Sequence, residues 1–392
     1  GGGLMQLVAY GAQDIYLTGN PQITFFKVVY RRHTNFSMEA IEQTWNGDEK
    51  GASGRCTATI SRNGDLVHKM YLEIKGTTND YSNPIAQAIT SVELEIGGQK
   101  IDKQTGQWME TWVELTEPNP TGHMGVVHVD GAATATSFQK MTGLGGLAGT
   151  DGRDLTSPYF VPLMFWFCRN PGLALPLIAL QYHEVKVILE HVFGTVLDTN
   201  VSNKLWCDYI NLDTAERRRF AQVSHEYLIE QVQEQTTSAT TGSASLELNF
   251  NHPVKELIWA PSTIVAAEWN GGGVAADIAA GTYHLKLNGH ERFAARDFSY
   301  FTRVQVQDYH SGPGGLGAAT MATGQGQQND SIAVYSFALK PEEHQPSGTC
   351  NFSRIDNAQL VVSSATGPFV IYAVNYNVLR IMSGMGGLAY SN

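Results

Sequence analysis

The sequence predicts an all-β protein made of two consecutive sandwich domains, and three observations support that prediction. Apolar and polar residues alternate with a period of two in several segments, as expected for strands that bury one face. The chain of 392 residues is rich in aromatic residues and glycine, and only 16% of its residues are charged, which is typical of turn-rich β structure. Short stretches of the first half also match stretches of the second half.

The alternation is clearest in four segments: Leu66–Ile74, Val92–Ile96, Val185–Leu189 and Leu246–Phe250. We expect a strand in each of them. A helical period is scarce in the rest of the chain. The best candidate for a short helix is Gln107–Leu115, in which Trp108, Met109 and Trp112 are found at helical spacing.

Two pairs of matching stretches indicate an internal duplication. Leu94–Gln99 matches Leu285–His290 at an offset of 191 residues, and Phe167–Pro171 matches Phe337–Pro341 at an offset of 170. The offset decreases along the chain, as it would if the second copy had a shorter loop. We therefore expect two copies of a β domain of about 180 residues each.

Domains of this size with long loops fit the eight-stranded jelly roll better than the smaller immunoglobulin-type sandwich, although spacing alone does not fix the topology. The predicted class is all-β, with two consecutive eight-stranded jelly rolls, long surface loops and a few short helices. The long loops are Thr121–Thr156 and Ser311–Asn329, both rich in Gly, Ser, Thr and Ala. The predicted boundaries are an N-terminal arm at 1–22, a first jelly roll at 23–213, a linker at 214–224, a second jelly roll at 225–382 and a C-terminal tail at 383–392.

Charge and motifs argue against several functional classes. The net charge of −11 disfavours wrapping of nucleic acid, which needs a basic surface. No P-loop, zinc-protease motif or nucleophile elbow occurs, and three matches to the dinucleotide fingerprint lack the strand and helix that this motif requires. The four cysteines form no close pair, so we expect reduced, buried thiols rather than a zinc site. We therefore predict no enzymatic activity, no metal and no cofactor, although a carboxylate pair for glycoside hydrolysis would leave no sequence signature.

Four sites match the N-glycosylation motif: Asn35, Asn200, Asn329 and Asn351. Asn329 is the only one that falls in a predicted long surface loop. We therefore keep Asn329 as the single candidate glycosylation site.

Four long blocks carry a resemblance to a known family: Leu7–Phe36, Pro171–Val185, Gln345–Asn357 and Asn375–Tyr390. They resemble the major capsid proteins of large icosahedral double-stranded DNA viruses (nucleocytoplasmic large DNA viruses), most closely the phycodnavirus, or algal-virus, branch. The resemblance implies a non-enzymatic double jelly roll whose homotrimer forms a pseudo-hexagonal capsomer. Such capsomers tile an icosahedral shell over an internal membrane, which the subunit lies near without spanning, with minor capsid proteins beneath. The implied location is the virion, with synthesis and assembly in the host cytoplasm and no direct binding of nucleic acid.

The same resemblance assigns roles to the arm and the loops. We expect the first 20 or so residues to dock under the shell, with Leu4, Leu7, Val8 and Tyr10 buried only on assembly. The two long loops would cover the outer end of the capsomer. Two alternatives stay open: a two-domain β-sandwich that binds or processes carbohydrate, and a minor capsid protein of the same fold.

Overall fold

A computed structural model describes residues 1–76, 83–118, 137–145, 157–197, 200–238, 241–262, 281–315, 330–365 and 368–391. It contains two compact units, Gly1–Asn35 and Phe36–Asn392. The first unit has two short helices, α1 (Gly3–Val8) and α2 (Ile15–Thr18), with a 3₁₀ turn at Ala12–Asp14 between them. Every residue of this unit except Asp14 is exposed.

In its described ranges, the second unit begins with the strands β1 (Phe36–Gln43), β2 (Trp45–Gly47), β3 (Gly54–Thr59), β4 (Leu66–Lys75), β5 (Ile89–Ile96), β6 (Gln99–Thr105), β7 (Tyr159–Pro162), β8 (Leu175–Pro176), β9 (Val185–His191) and β10 (Ser202–Leu212). Among the described residues of this part, the helices are α3 (Pro84–Ala88), α4 (Gly106–Thr116), α5 (Ser137–Thr142), α6 (Trp166–Arg169) and α7 (Phe193–Val196). Two 3₁₀ turns occur at Pro171–Leu173 and Leu177–Ala179.

The strands described after helix α8 (Thr214–Gln222) are β11 (His225–Thr236), β12 (Gly242–Leu248), β13 (Pro253–Pro261), β14 (Thr282–Leu287), β15 (His290–Glu291), β16 (Arg296–Asp297), β17 (Ala333–Ser336), β18 (Cys350–Asn351), β19 (Ala358–Ala365), β20 (Phe369–Met382) and β21 (Met385–Leu388). A π-helical turn at Tyr300–Val304 leads into α9 (Gln305–Tyr309), and Phe352–Arg354 forms a 3₁₀ turn.

The strands form four antiparallel sheets in two sandwiches. Sheet 1 has the order β1-β10-β4-β7 and sheet 2 the order β2-β3-β9-β5-β6, whereas sheet 3 is β11-β20-β13-β17 and sheet 4 is β12-β19-β14-β15. The short strands β8, β16, β18 and β21 pair beside these paths. If the eight main strands of each sandwich are counted along the chain, both sandwiches pair them as 1-8-3-6 and 2-7-4-5. This shared order is a jelly roll, so the predicted double jelly roll is confirmed.

The repeated stretches of the sequence occupy equivalent places in the two sandwiches. Gly97 and Gly98 turn between main strands four and five of the first sandwich, with φ of 57° and 84°; Asn288 and Gly289 do the same in the second, with φ of 51° and 80°. Two successive left-handed residues are what a two-residue type I′ hairpin needs, which explains the recurring glycine. The strand predictions for 66–74, 92–96 and 185–189 and the helix prediction for 107–115 are also confirmed, whereas the strand predicted over Leu246–Phe250 ends at Leu248, two residues earlier than expected.

Both sandwiches point the same way. In each, the connections after main strands one, three, five and seven leave from one end, which we call the loop end, because the strands alternate in direction. β1 and β11 begin, and β10 and β20 end, at the opposite end, which we call the terminal end. Gln99 accepts a hydrogen bond from the backbone N–H of Leu388 at the terminal end, at 3.0 Å, and Thr105 donates to Glu234 at the loop end, at 3.3 Å. The predicted loops Thr121–Thr156 and Ser311–Asn329 belong to loop-end connections, and most of their residues lie outside the described ranges.

Candidate assembly surfaces

Helix α4 belongs to both sandwiches because its two faces enter different cores. Met109 and Val113 pack into the core between sheets 1 and 2. Trp108, Trp112 and Leu115 pack against the outer face of sheet 3. The Trp108 ring lies 4.9 Å from that of Tyr372 in β20 and 5.4 Å from that of Trp112, measured between centroids. The first sandwich therefore supplies the cover of the second.

Sheet 3 is buried on both faces as a result. On β13 and β20, Leu257, Trp259 and Ile371 point into the second core, whereas Ile258, Val370 and Tyr372 point towards α4. This double burial explains why β20 reads Phe-Val-Ile-Tyr-Ala-Val at its start rather than alternating with polar residues. The two sandwiches are thus joined by a continuous apolar layer.

A buried group of charges crosses the same junction. Arg169, which ends α6, donates to a carboxylate oxygen of Glu230 in β11 at 3.2 Å and lies 5.0 Å from the centroid of the Trp112 ring. The other oxygen of Glu230 accepts from Lys255, whose ammonium also donates to the Glu343 carbonyl at 2.8 Å. Lys255 is 1% exposed. Removing one member of such a group leaves another charge buried without its counter-charge, which is costly.

The edges of β6 and β11 meet in a second polar contact. Gln231 donates to the Ile101 carbonyl at 2.6 Å, and the Val232 N–H donates to the Asp102 carboxylate at 3.2 Å. Burial raises the pKa of Asp102 to about 6 even though hydrogen bonds from Val232 and Gln104 act in the opposite direction. These contacts fix the register of one sandwich along the other.

His310 holds the segment that follows α9. Its Nε2 lies 2.7 Å from a carboxylate oxygen of the fully buried Glu256, and its Nδ1 lies 3.1 Å from Glu342. Burial lowers the pKa of His310, but the charges and hydrogen bonds of the two glutamates raise it to about 9. Two residues later the Gly312 N–H donates to the Leu115 carbonyl of α4 at 2.7 Å. The imidazole of His310 thus lies where the second sandwich touches α4.

The predicted inner-shell contacts are exposed in this single chain. Leu4, Leu7, Val8 and Tyr10 are 65%, 77%, 73% and 61% exposed. Ten further large apolar side chains of Gly1–Asn35 are also exposed. Folded chains rarely leave so much apolar surface in contact with water unless a partner covers it. Their role in assembly stays a prediction. Asn329, the candidate glycosylation site, lies outside the described residues.

The described part of the chain shows little that could carry catalysis. No group of three or more His, Cys, Asp or Glu side chains is placed to hold a metal ion within it. The carboxyl pair Glu110 and Glu114 is fully buried, and burial together with Glu110 raises the pKa of Glu114 well above its usual value. Burial likewise raises the pKa of Cys56 and Cys168 to about 12, which disfavours the reactive thiolate. No described helix is both long and apolar enough to cross a bilayer.

An open cleft of about 840 Å³ lies between β6 and β11. Lys100 and Lys103 line one wall and Glu234 the other, with Tyr390 at the end of the chain. Sugar-binding sites usually present aromatic rings as a flat platform, and Tyr390 is the only exposed aromatic side chain on these walls. The cleft therefore gives no specific support to the carbohydrate alternative.

Sequence reasoning identified α4 but missed the residues it meets. Nothing in the local pattern around Arg169, Glu230, Lys255 or His310 distinguishes a buried charge from an exposed one. The available signal was the loss of alternation in β20 together with charged residues inside the apolar strand β13. That combination is expected where a sheet is covered on both faces and its buried charges are paired.

Comparisons with known proteins agree with this architecture. A family model for the N-terminus of major capsid proteins matches residues 24–227, and one for the major capsid protein of large eukaryotic DNA viruses matches residues 216–387. The chain is 51% identical to the major capsid protein of Pyramimonas orientalis virus and 43% identical to that of Paramecium bursaria Chlorella virus 1, over 100% of both chains in each case. It is 35% identical to a chain of the quasi-atomic model of the PBCV-1 virus capsid, with a TM-score of 0.74 over 94% of this chain and 100% of that chain. The resemblance found in the sequence is thereby confirmed: the chain belongs to the major capsid protein family of large eukaryotic DNA viruses.

Proposed function

We propose that this chain is the main subunit of an icosahedral viral shell and that three copies form one pseudo-hexagonal capsomer. The observation that carries the proposal is the pair of jelly rolls with the same strand order and direction, joined by α4, which packs against both. Three such chains around a threefold axis place six similar blocks in a ring, and a ring of six can tile a hexagonal lattice. The relatives named above are all major capsid proteins, which supports the same role.

The two ends of the molecule suit the two sides of a shell. The loop end would face outwards, with Thr121–Thr156 and Ser311–Asn329 exposed on the particle and Asn329 available for a glycan. The terminal end would face inwards, so that the segment containing Leu4, Leu7, Val8 and Tyr10 meets neighbouring capsomers and minor capsid proteins. An internal membrane would lie near this side without being crossed by the chain.

We infer a purely structural role, without an enzymatic activity or a cofactor. The carboxyl pair Glu110 and Glu114 and the thiols of Cys56, Cys168 and Cys207 are buried, and burial raises the pKa of Glu114 and of these three thiols, whereas Cys350 is only half-buried. The protein would be made and assembled in the host cytoplasm and end in the virion, without direct contacts to nucleic acid.

We also propose the domain boundaries predicted from the sequence, with the arm at 1–22 and the linker at 214–224. All strands of sheets 1 and 2 come from residues before this linker, and all strands of sheets 3 and 4 come after it. Arg217 and Arg219 are exposed on α8. Trypsin cleavage at these arginines should therefore leave two fragments that stay associated until the junction is denatured.

The test of the main proposal is the solution mass of the purified chain by light scattering, with particle images of the same peak. Three chains of 42.8 kDa would have a mass of about 128 kDa and a hexagonal outline. A monomer that binds glycans would instead favour the carbohydrate-binding alternative. A trimer present in few copies per virion would identify a minor capsid protein.

A further inference from the structure

Strand β1 has an open edge. It is the last strand in the order of sheet 1 and pairs with β10 alone among the described residues. From Ser37 to Glu42 all its side chains are exposed except the half-buried Ile41. An exposed edge strand of this length presents unpaired backbone groups to which another chain can pair. The strand is also negatively charged, since it carries Glu39 and Glu42 and no basic residue.

The segment at 22–30 has the composition of a strand but is not part of one. It reads Gln-Ile-Thr-Phe-Phe-Lys-Val-Val-Tyr, in which seven of nine residues are β-branched or aromatic, the types enriched in strands. No residue of Gly1–Asn35 lies in a strand. Phe25, Phe26 and Val29 are 85%, 95% and 85% exposed.

The charges of this segment are opposite to those of β1. Lys27, Arg31 and Arg32 give residues 22–32 three positive charges, and the same stretch contains no acidic residue. Gly1–Asn35 contains three basic residues and one acidic residue, so its net charge is +2. Because the whole chain has a net charge of −11, the rest of the chain carries −13. Charge complementarity of this kind selects and orients a partner.

We propose that residues 22–32 of one copy add as a strand to the open edge of β1 in a second copy. The proposal rests on the self-assembly proposed above and names the surfaces that meet. Backbone hydrogen bonds would supply the affinity, as in other cases of strand addition. The arginines and lysine of the added strand would then lie near Glu39 and Glu42.

The same geometry favours a second copy over pairing within one chain. Only His33, Thr34 and Asn35 separate the basic segment from β1, so a hairpin would have to turn within these residues. Tight hairpin loops need a left-handed residue, and Asn20 is the only residue of Gly1–Asn35 with a φ in that region. The stretch from Arg31 to Asn35 also contains no glycine.

A cross-linking experiment tests the pairing directly. The full chain carries a benzophenone amino acid in place of Val28, which is 69% exposed, and isotopically heavy and light copies are mixed before assembly. We expect mixed heavy–light products that join position 28 to residues 37–43. Products of one label only would show a hairpin within a chain, and products on any other surface would place the segment elsewhere. Either result overturns the proposal.

Charge reversal provides the second test. Lys27→Glu with Arg31→Glu, or Glu39→Lys with Glu42→Lys, should each lower the yield of the mixed product by about tenfold, and combining all four should restore it. The matched control is Glu184→Lys with Glu291→Lys, two exposed acids away from β1, which should leave the yield unchanged. Failure of the combined variant to recover would overturn the pairing. If trimers still form in that case, the proposed shell function stands and only this inference fails.

Discussion

Arg169 and Glu230 form an ion pair of 3.2 Å that joins the two jelly rolls, and the guanidinium lies over the Trp112 ring rather than in water. The Glu230 side chain is only 5% exposed and also accepts from Lys255. The pair therefore differs from the exposed ion pairs of this chain, which solvent and salt screen. Its loss would act on the angle between the sandwiches as well as on stability.

Replacing Arg169 with Met should destabilise the protein by about 2 kcal/mol, because Glu230 would keep only one of its two cationic partners in a buried site. The measurement is the midpoint of urea unfolding. Arg55→Met is the matched control, since Arg55 meets Glu190 at 3.9 Å on the surface, and it should cost less than about 0.5 kcal/mol. Equal effects of the two substitutions would contradict a special role for Arg169.

The His310 cluster predicts that stability falls as the solution becomes alkaline. Burial lowers the pKa of His310, but Glu256 and Glu342 raise it overall to about 9, above the usual 6.5. A raised pKa means that the stabilisation is complete below pH 6.5 and is lost as the pH rises through about 9. The unfolding midpoints of the native chain and of His310→Gln should therefore differ most at pH 6 and converge near pH 10. A difference that grows with pH would show that the imidazole is neutral in the folded protein.

Deletion of residues 1–22 should leave the jelly rolls folded but prevent complete shells. Phe36–Asn392 is a compact unit by itself, whereas the deleted part has no buried side chain. Circular dichroism and the unfolding midpoint should stay close to those of the full chain, and electron microscopy should show incomplete particles. Leu4→Ser with Leu7→Ser is a milder variant that removes only apolar surface and should act in the same direction. Complete shells from both variants would exclude an assembly role for Leu4, Leu7, Val8 and Tyr10.

Protease treatment of intact particles should reveal which end faces outwards. Both long loops connect strands at the loop end, so the first cuts should fall within Thr121–Thr156 and Ser311–Asn329. Mass spectrometry of the fragments locates them. First cuts near either terminus, before any cut in these loops, would reverse the proposed orientation.

The sequence was sufficient for the strands of the fold but not for its junction. Alternation and the recurring glycine turns reflect local rules, the two-residue period of a strand and the left-handed turn at Gly98 and Gly289, and both can be recognised along the chain. The partners of α4 could not be recognised in this way. Trp108 and Tyr372 are far apart in sequence, and nothing local shows that the outer face of sheet 3 is covered. The pairing of Arg169 with Glu230 depends on that cover and was equally inaccessible.

The cover that α4 provides makes the two jelly rolls unequal, although their strand orders are identical. A ribosome releases α4 well before it reaches β13 and β20, so α4 can already be packed on the first sandwich when sheet 3 starts to form. Sheet 3 then finds a ready apolar surface for Ile258 and Tyr372. If sheet 3 were synthesised before α4, these apolar side chains would be exposed to water and would promote aggregation in a cell that makes many copies at once. Synthesis from the N-terminus to the C-terminus thus provides α4, which covers the outer face of sheet 3, before sheet 3 is made.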